Sequence, residues 1–525
     1  MMYQTRSAAS QARSAFRLPD GVYNRHDLKR NTTLDCDVVI VGSGAGGATV
    51  AAELAEGGLD VIVLEEGGYN PTESFNANVR QMLGELYRDA GASASLGNPP
   101  VLFQEGRTVG GSTVINGGMS WRTPEAILDR WDKEAGIHKV SAKEMDPFFS
   151  RVEERIHVAY QDPHTVGRDN ALLKEGADAK GWNVIDNRRN QLHCAGTNNC
   201  AFGCPTGAKR SSLVTYIPRA LHFGARIYSN VRVERILRKG KRAVGVEGRV
   251  SLPGWKLGAK VRVHARLVVS ACGSIHTPAL LKRSGFRSPS DQLGRNLSMH
   301  PNAKVVAVFD EDVRGWEGVH QAYQVRQFQE EGFLMAAVNI PPSVLAMTAP
   351  SYGAALGELM QEYNRTVIAG ILVEDTTLGR VVTLPGGKPV ALYQVNDADA
   401  QQLVRGVTLL CELLFAAGAR KIYLPFDGVE ALHSPDEARK LLSRKIDKSG
   451  MEIVTVHLMG TARMGADRSS AVCDSYGHVY DADRLMIADA SLFPTPIGVN
   501  PCQTIMTLAT RNAAHILNNL SRYTR

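Results

Sequence analysis

The chain has 525 residues, 44% hydrophobic and 22% charged, too long for one small core and ordinary in composition for two or three intertwined globular units. Its formal net charge of +7 is thinly spread, with short basic runs such as Arg238–Arg242, which argues against a nucleic-acid partner or an anionic membrane surface. No stretch approaches ~18 consecutive apolar residues, so no transmembrane segment is predicted, and the 8 Cys make no disulfide framework, which points to a reducing, cytoplasmic setting.

Residues 1–32 are polar, with scattered Arg and Lys and no apolar stretch. They read as an N-terminal arm packed on the surface rather than a secretory signal. Residues 36–68, CDVVIVGSGAGGATVAAELAEGGLDVIVLEEGG, run from an apolar strand (Val38–Val41) through a Gly-rich turn and an Ala-rich helix to a second apolar strand (Val61–Leu64). This is a βαβ unit with parallel, doubly buried strands. Gly42, Gly44 and Gly47 form a dinucleotide fingerprint in it. The first Gly permits a tight turn, the second lets a pyrophosphate approach the backbone, and the third lets helix and strand pack closely. Glu65, at the end of the second strand, stands where a carboxylate accepts hydrogen bonds from a ribose diol, with Glu66 beside it. One fingerprint does not separate NAD from FAD.

A second Gly-rich element, Gly106–Ser112, offers Arg107, Gly110, Gly111 and Ser112 to a diphosphate or a flavin ring. It continues into Asn116, Gly117, Gly118 and Met119. Next comes a cysteine cluster, Cys194-x5-Cys200-x3-Cys204, in HCAGTNNCAFGCPTGAKRS. Three thiolates at this spacing fit an Fe–S cluster, or zinc with His193 as a fourth ligand. They equally fit a tight loop of small buried thiols without metal.

Residues 227–247 alternate as strands about a basic turn. A buried strand at Leu267–Ala271 leads into a short helix stopped by Gly285. From 303 to 455 the texture changes: strand-like pieces (AKVVAVF, TVIAGILVE) accompany a long amphipathic helix over Asp397–Ala417. The last segment returns to the earlier style, with a strand at Leu485–Ile487 and a helix over Pro501–Leu517. Asn500 and Pro501 there match an N-cap followed by Pro at N1. Apolar runs at Gly332–Val338 and Ser343–Met347 suit either a hydrophobic substrate wall or a domain core.

Five ordered elements carry a family resemblance: VIVGSGAGG with VLEEGG, GRTVGGSTVINGGM, VVSACGSIHTPALLKRSG, LGRNLSMHP, and HLMGTARMG followed by LMIADASLFPTPIGVNPCQTI. The chain resembles the glucose–methanol–choline (GMC) oxidoreductases, nearest their long-chain alcohol oxidase and cholesterol oxidase-like branches. The resemblance implies an α/β fold: a Rossmann-like FAD-binding domain from 33–122, 205–300 and 455–525. An inserted α+β substrate-binding domain on a mostly antiparallel sheet would take 123–204 and 301–454. It implies FAD, met by Val233 at the adenine and by Asp489 and Ala490 at the ribityl or phosphate part, with Asn500 and Pro501 at the flavin. Ile115 stands where some relatives carry a tethering His, so a dissociable, non-covalent flavin is expected.

The implied reaction is oxidation of an apolar or aromatic alcohol to its aldehyde or ketone, with O2 or a redox carrier as acceptor. His457 is the expected base, consistent with an unperturbed His pKa near ~6.5, and Asn500 is expected to hold the substrate oxygen. The alternatives are a dehydrogenase delivering electrons to a quinone or cytochrome through an Fe–S cluster, a non-redox flavin-containing lyase, and an electron-transfer subunit.

Overall fold

The computed structural model describes residues 16–349, 352–429 and 431–524. Its first large sheet has eight strands. In spatial order they are Val22–Tyr23, Arg226–Ser229, Val61–Glu65, Thr32–Val41, Leu257–Ser270, Arg242–Ser251 and Val231–Lys239, with Leu485–Ile487 also pairing the long Leu257–Ser270 strand. The half built from the βαβ unit is parallel, and the other half is an antiparallel meander. Val38–Ile40 and Val61–Leu64 are buried on both faces, as a parallel sheet with helices on it requires. The helices Ala45–Glu56 and Cys502–Leu517 pack on one another, and their small residues, Ala48, Ala51, Ala52, Ala509 and Ala513, join the core beneath them.

The second large sheet has nine strands and is antiparallel except where Ile453–Thr455 runs beside Val101–Phe103. Its centre is Asn302–Val308, Thr366–Val373 and Phe333–Ala337. The helix Asp397–Ala416 buries Leu403, Val407, Leu410 and Leu414 in the same core as those strands, the spacing of one helical face. Ser93–Ala94 and Val101–Phe103 also join this sheet, so the chain crosses between sheets before residue 104.

Two sequence readings are corrected here, and one left open is decided. The described part of the N-terminal arm is more than a surface strap, because Val22–Tyr23 extends the first sheet in parallel with Ile227 and Tyr228. The run Phe333–Ala337 is a buried strand, so its Met335 fills a core and forms no substrate wall. Asn500 does not cap the helix that follows it. Pro501 occupies the N-cap, and the helix begins at Cys502.

Candidate active site

The fingerprint loop is built as the glycines require. Gly42 takes φ +98°, a left-handed turn, and a β-carbon on Gly47 would lie 2.0 Å from the Gly42 carbonyl oxygen, so only glycine allows this strand–helix approach. Gly44 is different: a β-carbon there would meet nothing closer than Gly111 Cα at 4.0 Å. Its open face, at the N-terminus of Ala45–Glu56 where helix N–H groups lack intrahelical acceptors, fits an anionic diphosphate.

Ser43 ties this loop to its neighbours. Its hydroxyl donates to Glu65 Oε2 at 2.7 Å and accepts from the Gly110 N–H at 3.1 Å. Glu65 also accepts from the Ser43 N–H at 3.0 Å and from the Gly67 N–H at 2.8 Å. Burial pushes its carboxyl above the usual range against the pull of those donors. Glu65 therefore braces the loop, and the acid that borders open space is Glu66. With Gly67, Gly68, Arg107, Asn230 and Arg232, Glu66 lines a cavity of about 330 Å³. Burial raises the Glu66 carboxyl, but Arg88 at 3.1 Å and Arg107 at 3.3 Å outweigh it and bring its pKa to about 2. Val233 lies on the strand next to Arg232 and is buried.

Asp489 is a second brace. Its Oδ2 accepts from the Gly273 N–H at 3.0 Å and Thr277 Oγ1 at 2.5 Å, and its Oδ1 from the Ser491 N–H and hydroxyl at 2.9 and 2.5 Å. The Ala490 carbonyl accepts from the Gly460 N–H, which sets the segment after His457 against the last strand. Ser112 Oγ accepts from the Gly106 N–H at 2.9 Å.

Sequence reasoning assigned no role to Lys209, which pins the segment around Asn116. Its buried Nζ donates to the carbonyls of Val114, Asn116 and Cys200 at 2.7, 2.7 and 2.6 Å, and burial lowers its pKa to about 8. The Gly118 carbonyl accepts from the Asn190 N–H, Met119 is buried, and Asn116 Oδ1 is buried without a partner. Cys194, Cys200 and Cys204 line one cavity of about 10 Å³ beside Lys209 and His320. Among the described residues, no three His, Cys, Asp or Glu side chains are gathered so as to hold a metal ion. Ile115 is buried in the core below.

His457 and Asn500 are brought together. The Asn500 amide lies 3.3 Å from His457 Nε2, and Asn500 Oδ1 is buried with no partner. Burial lowers the His457 pKa to about 4, so the ring is neutral near pH 7. Behind it stands His300, whose Nδ1 is 3.3 Å from His457 Nδ1. Asp375 holds the Met299 and His300 backbone N–H groups at 2.8 and 3.1 Å. The motif LSMHP displayed His300. Its partnership with Asp375 and His457 is tertiary and left no spacing signal.

Residues 83–302 and 382–509 match models described as GMC oxidoreductase, and residues 37–78 match one described as an FAD binding domain. A GMC-type oxidoreductase of Sinorhizobium fredii is 36% identical over 94% of this chain and 97% of its own. The chain belongs to the GMC oxidoreductase family. A long-chain-alcohol oxidase of Arabidopsis thaliana is 28% identical over 93% of this GMC chain and 68% of its own. The crystal structure of a pyridoxine 4-oxidase from Mesorbium loti shares the fold with a TM-score of 0.69 at 17% identity, covering 91% of this chain and 99% of that one. The protein is an FAD-dependent oxidoreductase, and among the described residues no helix is long and apolar enough to cross a membrane.

Proposed function

We propose that this GMC oxidoreductase oxidises the CH–OH group of an alcohol to an aldehyde or ketone, with the substrate oxygen held at His457 and Asn500. The observation that carries the reading is the buried pair itself. Asn500 Oδ1 lacks a partner inside the protein, and a buried polar atom left short of partners is a place for a ligand atom to bind. Bound FAD supplies the two-electron acceptor for the hydride. Gly44 and Gly111 would present closely approaching backbone to its diphosphate, and Glu66 and Arg232, which line one cavity, would hold its adenosine end together with the neighbouring Val233. With Ile115 at the tethering position, the flavin is dissociable. Neutral His457 can either take a proton at a bare nitrogen or donate from a protonated one.

An apolar substrate is favoured by the similarity to long-chain-alcohol oxidases, since the Phe333–Ala337 run belongs to the core. O2 is the acceptor that goes with that similarity. Anaerobic mixing with long-chain, benzylic, sterol, sugar and choline alcohols tests the reading through loss of flavin absorbance. Bleaching by the apolar alcohols, followed by recovery in air, is expected. Bleaching without recovery in air would make the enzyme a dehydrogenase, and a preference for glucose or choline would overturn the apolar substrate.

A further inference from the structure

The cysteine loop holds a charge imbalance that the alcohol reading does not use. Arg189 and Lys209 are 1% and 4% exposed, and both line the small cavity shared by Cys194, Cys200 and Cys204. No Asp or Glu lines it. His320, in the same lining, is neutral, because burial and the charges of Arg189 and Lys209 lower its pKa to about 3. Two buried cations without a carboxylate are costly unless another anion stands against them. The groups facing Lys209 that can carry negative charge are thiols: Cys200, Cys204 and Cys502.

Hydrogen bonds single out Cys204. Its Sγ accepts from the Lys209 backbone N–H at 3.3 Å and lies 3.4 Å from Thr206 Oγ1. Thr206 Oγ1 accepts the Ala208 N–H at 3.4 Å, which leaves its own proton for the sulfur. Burial opposes ionisation, but these donors and the Lys209 charge bring the Cys204 pKa below its ordinary value. Elsewhere burial prevails, pushing Cys36 and Cys272 up to about 12 and Cys502 to about 11. Cys200, with Arg189 Nη2 at 3.5 Å from its Sγ, is buried, whereas Cys204 is half-buried and open to small reagents.

The cavity, about 10 Å³, is close to the least that a water-sized group needs. Arg189 Nε is buried without an acceptor. A small oxygen species entering here would meet a nucleophilic sulfur in a lining that still has an N–H to give.

We propose that Cys204 is held as a thiolate, the counter-ion of Lys209 and Arg189, and is the site at which hydroperoxides oxidise this protein. A Cys204 sulfur lone pair attacks one peroxide oxygen. The S–O bond forms and the O–O bond breaks, so sulfur loses two electrons and the leaving hydroxide takes up a proton as water. The product is a sulfenic acid. Reoxidation of a flavin by O2 would release the peroxide, but the step needs no turnover and stands apart from the alcohol reading.

Holoenzyme that has been reduced with a thiol and desalted is treated with H2O2 and dimedone, digested and read by mass spectrometry. Cys204 should be converted, to the dimedone adduct or to a disulfide with Cys194 or Cys200, at least ~10-fold faster than Cys36, Cys272 or Cys502. In urea-unfolded protein the difference should vanish. Cys204→Ser should remove the fast conversion with FAD content unchanged. Thr206→Val, at an exposed position, should slow it several-fold with Tm close to wild type. Conversion of Cys204 at the rate of Cys36, or at the wild-type rate in Thr206→Val, overturns the proposal, as would stoichiometric iron held by the loop.

Discussion

Two regions around the cofactor site handle buried polarity in opposite ways. At the fingerprint, Glu65 and Asp489 are saturated: three N–H or O–H donors converge on one and four on the other. At His457 the supply runs short, with Asn500 Oδ1 buried and unpartnered beside it. A satisfied buried network specifies shape, whereas a deficient one leaves room for chemistry. The fingerprint acids therefore act as scaffold, and the deficit marks where a substrate completes the bonding.

The sharpest way to break this comparison is His457→Ala. Loss of the imidazole at the substrate oxygen should slow flavin reduction by about 10²–10⁴, while FAD content and Tm stay close to wild type. A large drop in Tm with intact chemistry would place His457 with the scaffold. Glu65→Ala should do the reverse. Stranding the Ser43 and Gly67 N–H groups should cost about 2–4 kcal/mol, read as a lower Tm and weaker FAD retention, with the rate per bound flavin little changed.

Acid titration sharpens the same contrast at Glu66. Its folded pKa, about 2, lies below the ordinary 4.5, so its contribution is complete above pH 4.5 and disappears as pH falls toward 2. That contribution is about 3 kcal/mol at most, and Glu66→Gln should flatten the stability loss across this window. The smallest effect belongs to the cysteine loop. Cys204→Ser should leave turnover within a few-fold of wild type, and anaerobically purified enzyme should carry no stoichiometric iron or sulfide. Finding a cluster would move the protein toward an electron-delivering dehydrogenase.

The elements legible in the sequence are those with strong local periodicity. The strand Leu485–Ile487 and the helix from Asp397 stand where the apolar pattern put them. The strand Leu257–Ser270 was legible only in its last few residues, because its first half alternates Lys, Arg and His on a solvated antiparallel face. Within the site, His457 and Asn500 were found through motif resemblance, whereas His300 and Asp375, which pack behind His457, come from segments distant in sequence. The Asn500–Pro501 pair misled for a local reason. It has the composition of a helix start, yet the Asn side chain is directed at His457 by a helix that begins one residue beyond the Pro.

The long strand Leu257–Ser270 also governs how the protein is made. It lies between Thr32–Val41 and, at Val268–Ser270, the late strand Leu485–Ile487. The helix Cys502–Leu517 then covers the helix Ala45–Glu56. During synthesis the early βαβ unit must wait, with part of its apolar helix face uncovered, until residues 485–517 have been made. Such long-range closure slows folding and leaves sticky surface exposed meanwhile. Expression at low temperature or with a holdase chaperone should therefore raise the yield of flavin-loaded protein more than any change in growth medium.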